Sequence, residues 1–301
     1  MTLASCDSRK TAGENPFFTE WDTPHGVPPF DKILPEHFMP AFERGMSLHE
    51  AEIDAITSNK DEATFENTIL AYDNAGQMLA QTELVFGMLC AAETNDRMQA
   101  LQEQAMPLLA AHRDKIRLDD KLFVRVKEVY DRRAALGLDA EQMRLLQKTY
   151  DSFVRAGALL DAEQKARLKE INGQLSLTAV KFGNNILAEN NNFVLELKSD
   201  ELDGLPAGIR DAAREKAQQM GKGDKWVFTL HKPSLIPLLT YSTRRDLREK
   251  IYKAYLNRCN NGDEYDNKQL INDFIRLRTE KAHLLGYPSY AAYVVADEMA
   301  G

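Results

Sequence analysis

The amino-acid sequence predicts a mainly α-helical protein with one small two-stranded β element. After residue 35, apolar residues recur at three- and four-residue spacing through most of the chain, which is the period of an amphipathic helix. Two short runs lack that period and are rich in β-branched and aromatic residues, so we expect strands at about 192–198 and 225–231. The longest helical stripe consists of Leu168, Ile171, Leu175, Thr178, Phe182 and Ile186.

Helix-capping residues set the expected bounds of the helices. Pro35 suits the first turn of a helix, because its missing N–H group would be unpaired there in any case. Thr64, Asn95 and Asp139 can each accept a hydrogen bond from the free N–H groups of a following helix, and Gly221 suits a helix end. We expect helices at about residues 35–58, 65–92, 96–116, 120–136, 140–157, 161–188, 206–220, 243–258, 266–285 and 288–299.

The first 34 residues differ in composition from the rest of the chain. Residues 1–15 are mostly polar, and we predict a disordered tether there. Residues 16–34 contain four prolines, which break helices, and this segment is expected to be an extended arm of one helical region, residues 16–301. The aromatic residues that the arm must bury are Phe17, Phe18, Trp21 and Phe30.

The charge of the chain argues against nucleic acid as a partner. The 301 residues include 46 acidic and 38 basic ones, a formal net charge of −8, which gives no general attraction to phosphate backbones. The densest basic patch, residues 244–250, is interleaved with Asp246 and Glu249 and is typical of a solvated helix face. Hydrophobic residues make up 44% of the chain, which is enough for one large or two modest cores.

The three cysteines indicate neither a disulfide framework nor a zinc knuckle, since none belongs to a C-x-x-C pair. Cys90 and Cys259 lie in apolar or helical runs and are expected to be free thiols. The segment Leu3-Ala4-Ser5-Cys6 resembles the lipobox of bacterial lipoproteins, in which the cysteine carries the lipid. Cys6 is therefore a candidate lipidation site.

Two interpretations of Cys6 stay open. A true lipobox implies a lipid-anchored protein in the periplasm or at a membrane, and a chance match implies a cytoplasmic one. A signal peptide needs an apolar stretch of about 7–15 residues, so the first interpretation requires that most of the signal has been removed. Incorporation of a labelled fatty acid at Cys6 would distinguish the two. No apolar run reaches the roughly 20 residues of a membrane-spanning helix, and no span is expected.

The histidines are not spaced for a zinc site. A zincin helix carries two histidines four residues apart, because only this spacing aims both imidazoles at one metal ion. No pair in this sequence has that spacing, and we expect no two histidines to meet around an ion. The nucleophile elbow, the P-loop and the dinucleotide-binding glycine motif are absent too. We therefore predict no catalytic and no metal-binding residue among the six histidines His25, His37, His49, His112, His231 and His283.

Several segments, in the same order and spacing from about residue 15 to 301, resemble the thimet-oligopeptidase and peptidyl-dipeptidase family of zinc metallopeptidases. The peptidyl-dipeptidase branch fits best, on the basis of the first two of these segments. The matching segments are Asn15-Pro16-Phe17-Phe18, Phe30-Asp31-Lys32-Ile33, Pro35-Glu36-His37-Phe38, Thr64-Phe65-Glu66-Asn67-Thr68-Ile69, Ala110-Ala111-His112, Phe153-Val154-Arg155-Ala156-Gly157-Ala158, Gly204-Leu205-Pro206, Arg244-Arg245-Asp246-Leu247-Arg248-Glu249 and Leu284-Leu285-Gly286-Tyr287.

The resemblance implies a helical N-terminal part of a peptidase that contains a deep channel. The family's H-E-x-x-H zinc motif lies beyond the length of this chain, so the resemblance supplies no catalytic or metal residue here. It implies zinc as the cofactor of the full-length protein and none for this chain. The expected partners are short unstructured peptides and the C-terminal catalytic part of the same protein. The expected activity of that protein is the release of C-terminal dipeptides.

Two alternatives stay open at this point. The chain could be a stand-alone helical peptide-binding or scaffold protein, which would use the same surface without chemistry. The full-length protein could also be an oligopeptidase that cuts internal bonds. We expect the natural protein to continue past residue 301, because the apolar residues near this end need something to pack against: Tyr287, Tyr290, Tyr293, Val294 and Val295.

Overall fold

The computed structural model describes residues 15–300. The chain is mainly helical with one small antiparallel sheet, and the predicted fold class is confirmed. The helices are α1 (Phe38–Ser58), α2 (Ala71–Asp73), α3 (Gln77–Ala92), α4 (Asp96–Arg117), α5 (Asp120–Asp131), α6 (Ala140–Ala156), α7 (Ala162–Asn192), α8 (Ala207–Gln219), α9 (Lys232–Tyr241), α10 (Arg245–Leu256), α11 (Lys268–Leu284) and α12 (Tyr290–Val295), and the strands are β1 (Leu195–Leu197) and β2 (Trp226–Phe228).

The predicted caps begin the helices that follow them. The side chain of Asn95 accepts a hydrogen bond from the N–H group of Met98 at 3.1 Å, at the start of α4. Asp139 caps α6 in the same way, and the side chain of Gln142 accepts from the N–H group of Asp139 at 3.1 Å. These reciprocal bonds satisfy donors that a helix start otherwise leaves unpaired.

The predicted helix at 65–92 is interrupted, and this expectation was wrong. A π-helical segment, Phe65–Leu70, leads into the single turn of α2, and α3 begins only at Gln77. Gly76, directly before α3, has φ +75, a left-handed conformation that glycine adopts without a steric cost. The apolar spacing on either side of the break is helical, so the sequence pattern alone does not reveal it.

Helix α9 was not predicted, because its two prolines indicated a break. Pro233 occupies the first turn of α9, where the missing N–H group costs nothing. Pro237 lies further inside the helix, where proline removes one backbone hydrogen bond. The apolar residues Leu235 and Leu238 are buried, and their packing offsets that loss.

The described chain divides into two compact units. Unit 1 comprises residues up to Leu177 together with Arg278–Gly301, and unit 2 comprises Thr178–Leu277. In unit 1, helix α1 packs against α3, α4 and α5. Helices α1 and α4 contribute buried residues to two apolar clusters of unit 1. The first contains Ile53, Ile56, Phe65, Ile69, Ile116, Leu122, Val126, Leu146 and Phe153; the second contains Phe17, Phe38, Phe42, Leu79, Val85, Phe86, Met98, Ala105 and Leu109.

The N-terminal arm packs through three of its four aromatic residues: Phe17 is buried, and Phe18 and Trp21 are half-buried. Phe30 is 44% exposed, so the expectation that it is buried was wrong. Pro16–Phe18 forms a short 3-10 turn that Asn15 caps. The buried ring of Phe17 lies 5.4 Å from the ring of Phe38, centroid to centroid, and 6.1 Å from that of Trp21. Offset and edge-to-face pairs of this kind add about 0.5–1.5 kcal/mol to the burial of the rings. The arm therefore contributes to the second cluster.

A buried arginine on α5 organises the loop that follows α1. The Arg125 guanidinium donates to the carbonyl oxygens of Asn59 and Asp61 at 3.1 and 3.2 Å. It also donates to the side-chain oxygen of Asn67 at 3.1 Å. The same oxygen accepts from the N–H group of Thr64 at 2.8 Å, so one guanidinium and one amide together bond to three backbone groups of this loop. Hydrogen bonds to a charged group are the stronger ones in proteins.

Unit 2 is built around the two short strands. The antiparallel strands pair Leu195 with Phe228 and Leu197 with Trp226. Both leucines of β1 are buried while Glu196 between them is exposed, the alternation of a sheet with one covered face. Helix α8 packs against β2. The apolar cluster of unit 2 contains Leu195, Leu197, Leu202, Leu205, Phe228, Leu230, Leu235, Leu238, Leu247 and Ile251.

A glycine turn in unit 2 lies against the segment between α9 and α10. Gly204 has φ +81, and a Cβ atom at this position would lie 2.2 Å from the carbonyl oxygen of Tyr241. The neighbouring carbonyl of Asp203 accepts a hydrogen bond from the N–H group of Thr243 at 3.1 Å. Only glycine fits a left-handed conformation with so close a backbone neighbour.

No helix within residues 15–300 combines the length and the apolar composition that crossing a membrane requires.

We expect Arg125→Leu to lower the free energy of unfolding by about 2–4 kcal/mol, because the loop loses three part-buried hydrogen bonds to a charged donor and Arg125 itself is buried. Chemical denaturation of the chain measures the change. The matched control is Arg97→Leu, since Arg97 is exposed and pairs with exposed Glu36 at 3.2 Å; it should change stability by no more than about 0.5 kcal/mol. Equal effects of the two substitutions would contradict the role given to Arg125.

Gly204→Ala should lower the free energy of unfolding by about 2–4 kcal/mol, because the left-handed conformation alone costs about 1–2 kcal/mol and the new methyl group meets a backbone oxygen. Gly208→Ala in α8 is the control: a Cβ atom there meets nothing within 4 Å, and alanine is the better helix former by about 1 kcal/mol. If denaturation curves give Gly204→Ala the same free energy of unfolding as the parent protein, the close approach at Gly204 is refuted.

Candidate functional site

The structure brings together two of the six histidines, His49 of α1 and His112 of α4. Nε2 of His112 lies 3.0 Å from Nδ1 of His49, although 63 residues separate them. His37 is buried elsewhere and its Nδ1 accepts from the N–H group of Leu34 at 3.1 Å. The other three histidines, His25, His231 and His283, are exposed.

The pair belongs to a row of polar contacts between α1 and α4. Nδ1 of His112 faces Oε1 of Glu50 at 3.5 Å, the upper limit of a hydrogen bond. Since this nitrogen has no hydrogen-bond partner, the carboxylate acts on the ring mainly through its charge. The second oxygen of Glu50 lies 2.8 Å from the Lys115 ammonium. When neutral His112 carries its proton on Nδ1, its Nε2 is free to accept a hydrogen bond, and His49 donates that bond from its Nδ1–H group.

Burial keeps both rings neutral. It lowers the pKa of His112, and the charge of Glu50 opposes this effect only in part. It also lowers the pKa of His49, and the adjacent His112 ring lowers it further. The hydrogen bond to Lys115 lowers the pKa of Glu50. A neutral imidazole pair beside an ionised carboxylate and an ammonium is therefore the state that this environment favours.

The polar row occupies a defined place between the two apolar clusters of unit 1. Along α1, Phe42 belongs to one cluster and Ile53 to the other, and His49 lies between them. Along α4, Leu109 belongs to the cluster of Phe42 and Ile116 to the cluster of Ile53, and His112 lies between them. Gly76 packs against the His49 ring. A Cβ atom at this position would lie 2.9 Å from Nδ1 of His49, so a larger residue would clash with the ring.

We expected no two histidines to meet around an ion, and that stays a prediction, but the direct contact between His49 and His112 was not predicted. That expectation considered spacing on one helix, whereas His49 and His112 come from different helices. Both positions continue the apolar stripe of their own helix, and a histidine in such a stripe is the one sequence signal that could have indicated the pair. Across the described part of the chain, however, no three histidine, cysteine or acidic side chains converge as metal ligands.

The two rings therefore do not fit a zinc ion on their own. Zinc sites in proteins use at least three protein ligands, and the pair supplies two nitrogens that already bond to each other. The prediction that this chain holds no metal stays a prediction. The row also lacks a nucleophile beside a base, so the arrangement joins two helices and gives no basis for catalysis. Cys6, the candidate lipidation site, lies outside the described residues.

We expect the stability of the chain to fall as the pH drops below about 6.5, because His49 and His112 are held neutral when folded and bind protons more readily when unfolded. The contribution is fully present above the unfolded pKa and is lost as the pH falls towards the lowered folded values. Denaturation at pH 7.5 and 5.5 measures it.

A His49→Asn, His112→Gln double variant should retain the polar contact and lose part of this pH dependence, since an amide does not titrate. Burial raises the pKa of Glu83 and of Asp114, and both carboxylates are common to the two proteins, so their effect cancels. His231→Gln, at an exposed histidine, is the control. Identical pH dependence in the double variant and the parent would rule out the histidine pair as the source.

Comparison with known proteins gives a consistent result. Residues 238–301 match the model of peptidase family M3. The chain is 37% identical over 287 residues to the dipeptidyl carboxypeptidase of Escherichia coli K12, which covers 95% of this chain and 42% of that protein. The dipeptidyl carboxypeptidase of Salmonella typhimurium is 35% identical over the same length and coverage.

Similarity to the other branch of these enzymes is lower. Oligopeptidase A of Escherichia coli K12 is 27% identical over 283 residues, which is 92% of this chain and 42% of that protein. The chain thus spans less than half the length of the curated relatives it matches. The family model matches residues 238–301, and the similarity to the dipeptidyl carboxypeptidases extends over nearly all of the chain, so both comparisons show similarity to the peptidases of family M3.

Proposed function

We propose that this chain is the helical, non-catalytic N-terminal region of a zinc metallopeptidase that releases C-terminal dipeptides from short peptides. The observation that carries the proposal is the difference in similarity: 37% and 35% identity to two dipeptidyl carboxypeptidases against 27% to oligopeptidase A over a comparable stretch. The alignments cover similar shares of this chain, 95% and 92%, so the difference in identity does not come from a difference in coverage.

Two features support a non-catalytic role for this region. The matched stretch is 42% of the length of each relative, which leaves more than half of a protein of that size for other tasks. The described residues supply a histidine pair without a third ligand, so the zinc of this family would be held by residues outside them. The remaining role is structural: this region would form one wall of the channel that admits short unstructured peptides.

The acidic balance of the chain fits this role better than nucleic-acid binding. The net charge is −8, and two of the basic side chains at α10 pair with acidic neighbours. Arg244 lies 2.7 Å from Asp246, and Lys253 lies 2.6 Å from Glu249. This mixture of charges on one helix is typical of a solvated surface.

The proposal is tested with two proteins, the product of the complete natural reading frame and residues 1–301 alone. Each is incubated with an unblocked peptide of about ten residues and with the same peptide amidated at its C-terminus, and the products are identified by mass spectrometry. The complete protein should release dipeptides stepwise from the free C-terminus, and a chelator should abolish this release. Residues 1–301 should release nothing.

Three outcomes would overturn the proposal. Chelator-sensitive turnover by residues 1–301 would give this region a zinc site of its own. Internal cleavage at equal rates in the free and the amidated peptide would indicate an oligopeptidase. A stop codon directly after residue 301, with retained binding of peptides, would indicate a stand-alone binding protein.

A further inference from the structure

The sequence contains two Asn-Gly dipeptides, Asn172-Gly173 and Asn261-Gly262. Asparagine is among the thermally labile residues of proteins. A following glycine, which has no side chain, leaves its backbone nitrogen freest to attack the side chain of the asparagine. The structure places the two dipeptides differently: the first lies inside helix α7, and the second lies between α10 and α11, in residues 257–267. We name this segment the 257–267 loop.

The dipeptide in α7 is held in a conformation that prevents the attack. Inside an α-helix the N–H group of Gly173 donates to a carbonyl oxygen one turn earlier, and the helical backbone keeps its nitrogen away from the side chain of Asn172. That side chain is also fixed by two hydrogen bonds. Its Nδ2 donates to Asp114 at 2.8 Å, and its Oδ1 accepts from the Lys281 ammonium at 2.6 Å. Asn172 should therefore keep its amide.

The dipeptide in the 257–267 loop is held only by contacts that face water. Asn261 and Gly262 are both exposed. Nδ2 of Asn261 donates to the two carboxylate oxygens of Glu189, at the end of α7, at 3.0 and 3.2 Å. The N–H group of Gly262 donates to the Asp266 carboxylate at 2.8 Å. Solvent-exposed hydrogen bonds of a loop open easily, and once these are open no helix keeps the Gly262 nitrogen from the side chain of Asn261.

The 257–267 loop also contains a buried thiol. Cys259 is only 5% exposed. Burial raises the pKa of its thiol, and the nearby Glu189 carboxylate raises it further, so the thiol lies where the loop meets the end of α7. The backbone of Cys259 has φ +55, a left-handed conformation that a residue other than glycine keeps only while its surroundings hold it there. The bond between Asn261 and Glu189 is one of the contacts that hold this loop.

We propose that Asn261 is a deamidation site, and that its conversion to an acidic residue releases the 257–267 loop from α7 and uncovers Cys259. The nitrogen of Gly262 bonds to Cγ of Asn261, the bond from Cγ to Nδ2 breaks, and the proton of the Gly262 N–H group leaves with Nδ2 as ammonia. Water then opens the succinimide ring to give isoaspartate or aspartate. The new carboxylate faces that of Glu189, and because like charges repel, the original contact does not form again.

The modification is tested on the complete natural protein, kept folded for weeks in a mildly alkaline buffer and then digested at acidic pH, where further deamidation is slow. Mass spectrometry follows the two peptides that contain Asn261 and Asn172. The first should gain the mass difference between an amide and a carboxylic acid, with isoaspartate among the products, and the second should not. An Asn261→Gln variant should stay unmodified, because glutamine must close a larger ring. An intact Asn261, or an Asn172 that reacts equally fast, would overturn the inference.

The release of the loop is tested separately with Asn261→Asp, which supplies the acidic product directly. Labelling of Cys259 by a thiol reagent should become about tenfold faster or more, the shift expected when a hydrogen bond to a charged group is lost. Asn260→Asp is the matched control, since it adds the same charge at the adjacent exposed residue. Cys90, a half-buried thiol of unit 1, is the internal reference. Equal labelling of Cys259 in the two variants, or faster labelling of Cys90 as well, would overturn the inference.

Discussion

Unit 1 depends on helix α1, which serves two apolar clusters at once. Its first half buries Phe38 and Phe42 in one cluster and its second half buries Ile53 and Ile56 in the other. Burial of each large apolar side chain stabilises the fold by roughly 1.5–3 kcal/mol, so this one helix stabilises both clusters and connects them. The polar row at His49 lies where the two cores meet, and neutral rings are needed there because a charge would have to be buried.

The sequence predicted the helical class, the two strands and the capped starts of α4 and α6, since these depend on local patterns. It did not predict α9, because Pro233 and Pro237 indicate a break unless the burial of their neighbours is known. It also missed the break before α3 and the meeting of His49 with His112. Contacts between residues far apart in sequence are determined by packing, and a single sequence does not record packing.

The candidate site and the similarity to known peptidases fit together in physical terms. The two histidines hydrogen-bond to each other, and no third ligand converges on them among the described residues, so the pair is a polar contact between two helices. The same chain resembles enzymes more than twice its length over nearly all of its own residues. A region can therefore resemble peptidases over nearly all of its residues while its histidine pair joins two helices.

The order of the units along the chain has a consequence for biosynthesis. Unit 2 is one continuous stretch, Thr178–Leu277, whereas unit 1 needs both the residues up to Leu177 and the last segment, Arg278–Gly301. That segment is bound to the rest of unit 1 through Glu280, which accepts from Arg167 at 2.6 Å, and through Asp297, which accepts from Lys148 at 3.0 Å. On a ribosome that adds about 5–20 residues per second, the part of unit 1 made first must wait for the whole of unit 2 before its final contacts can form.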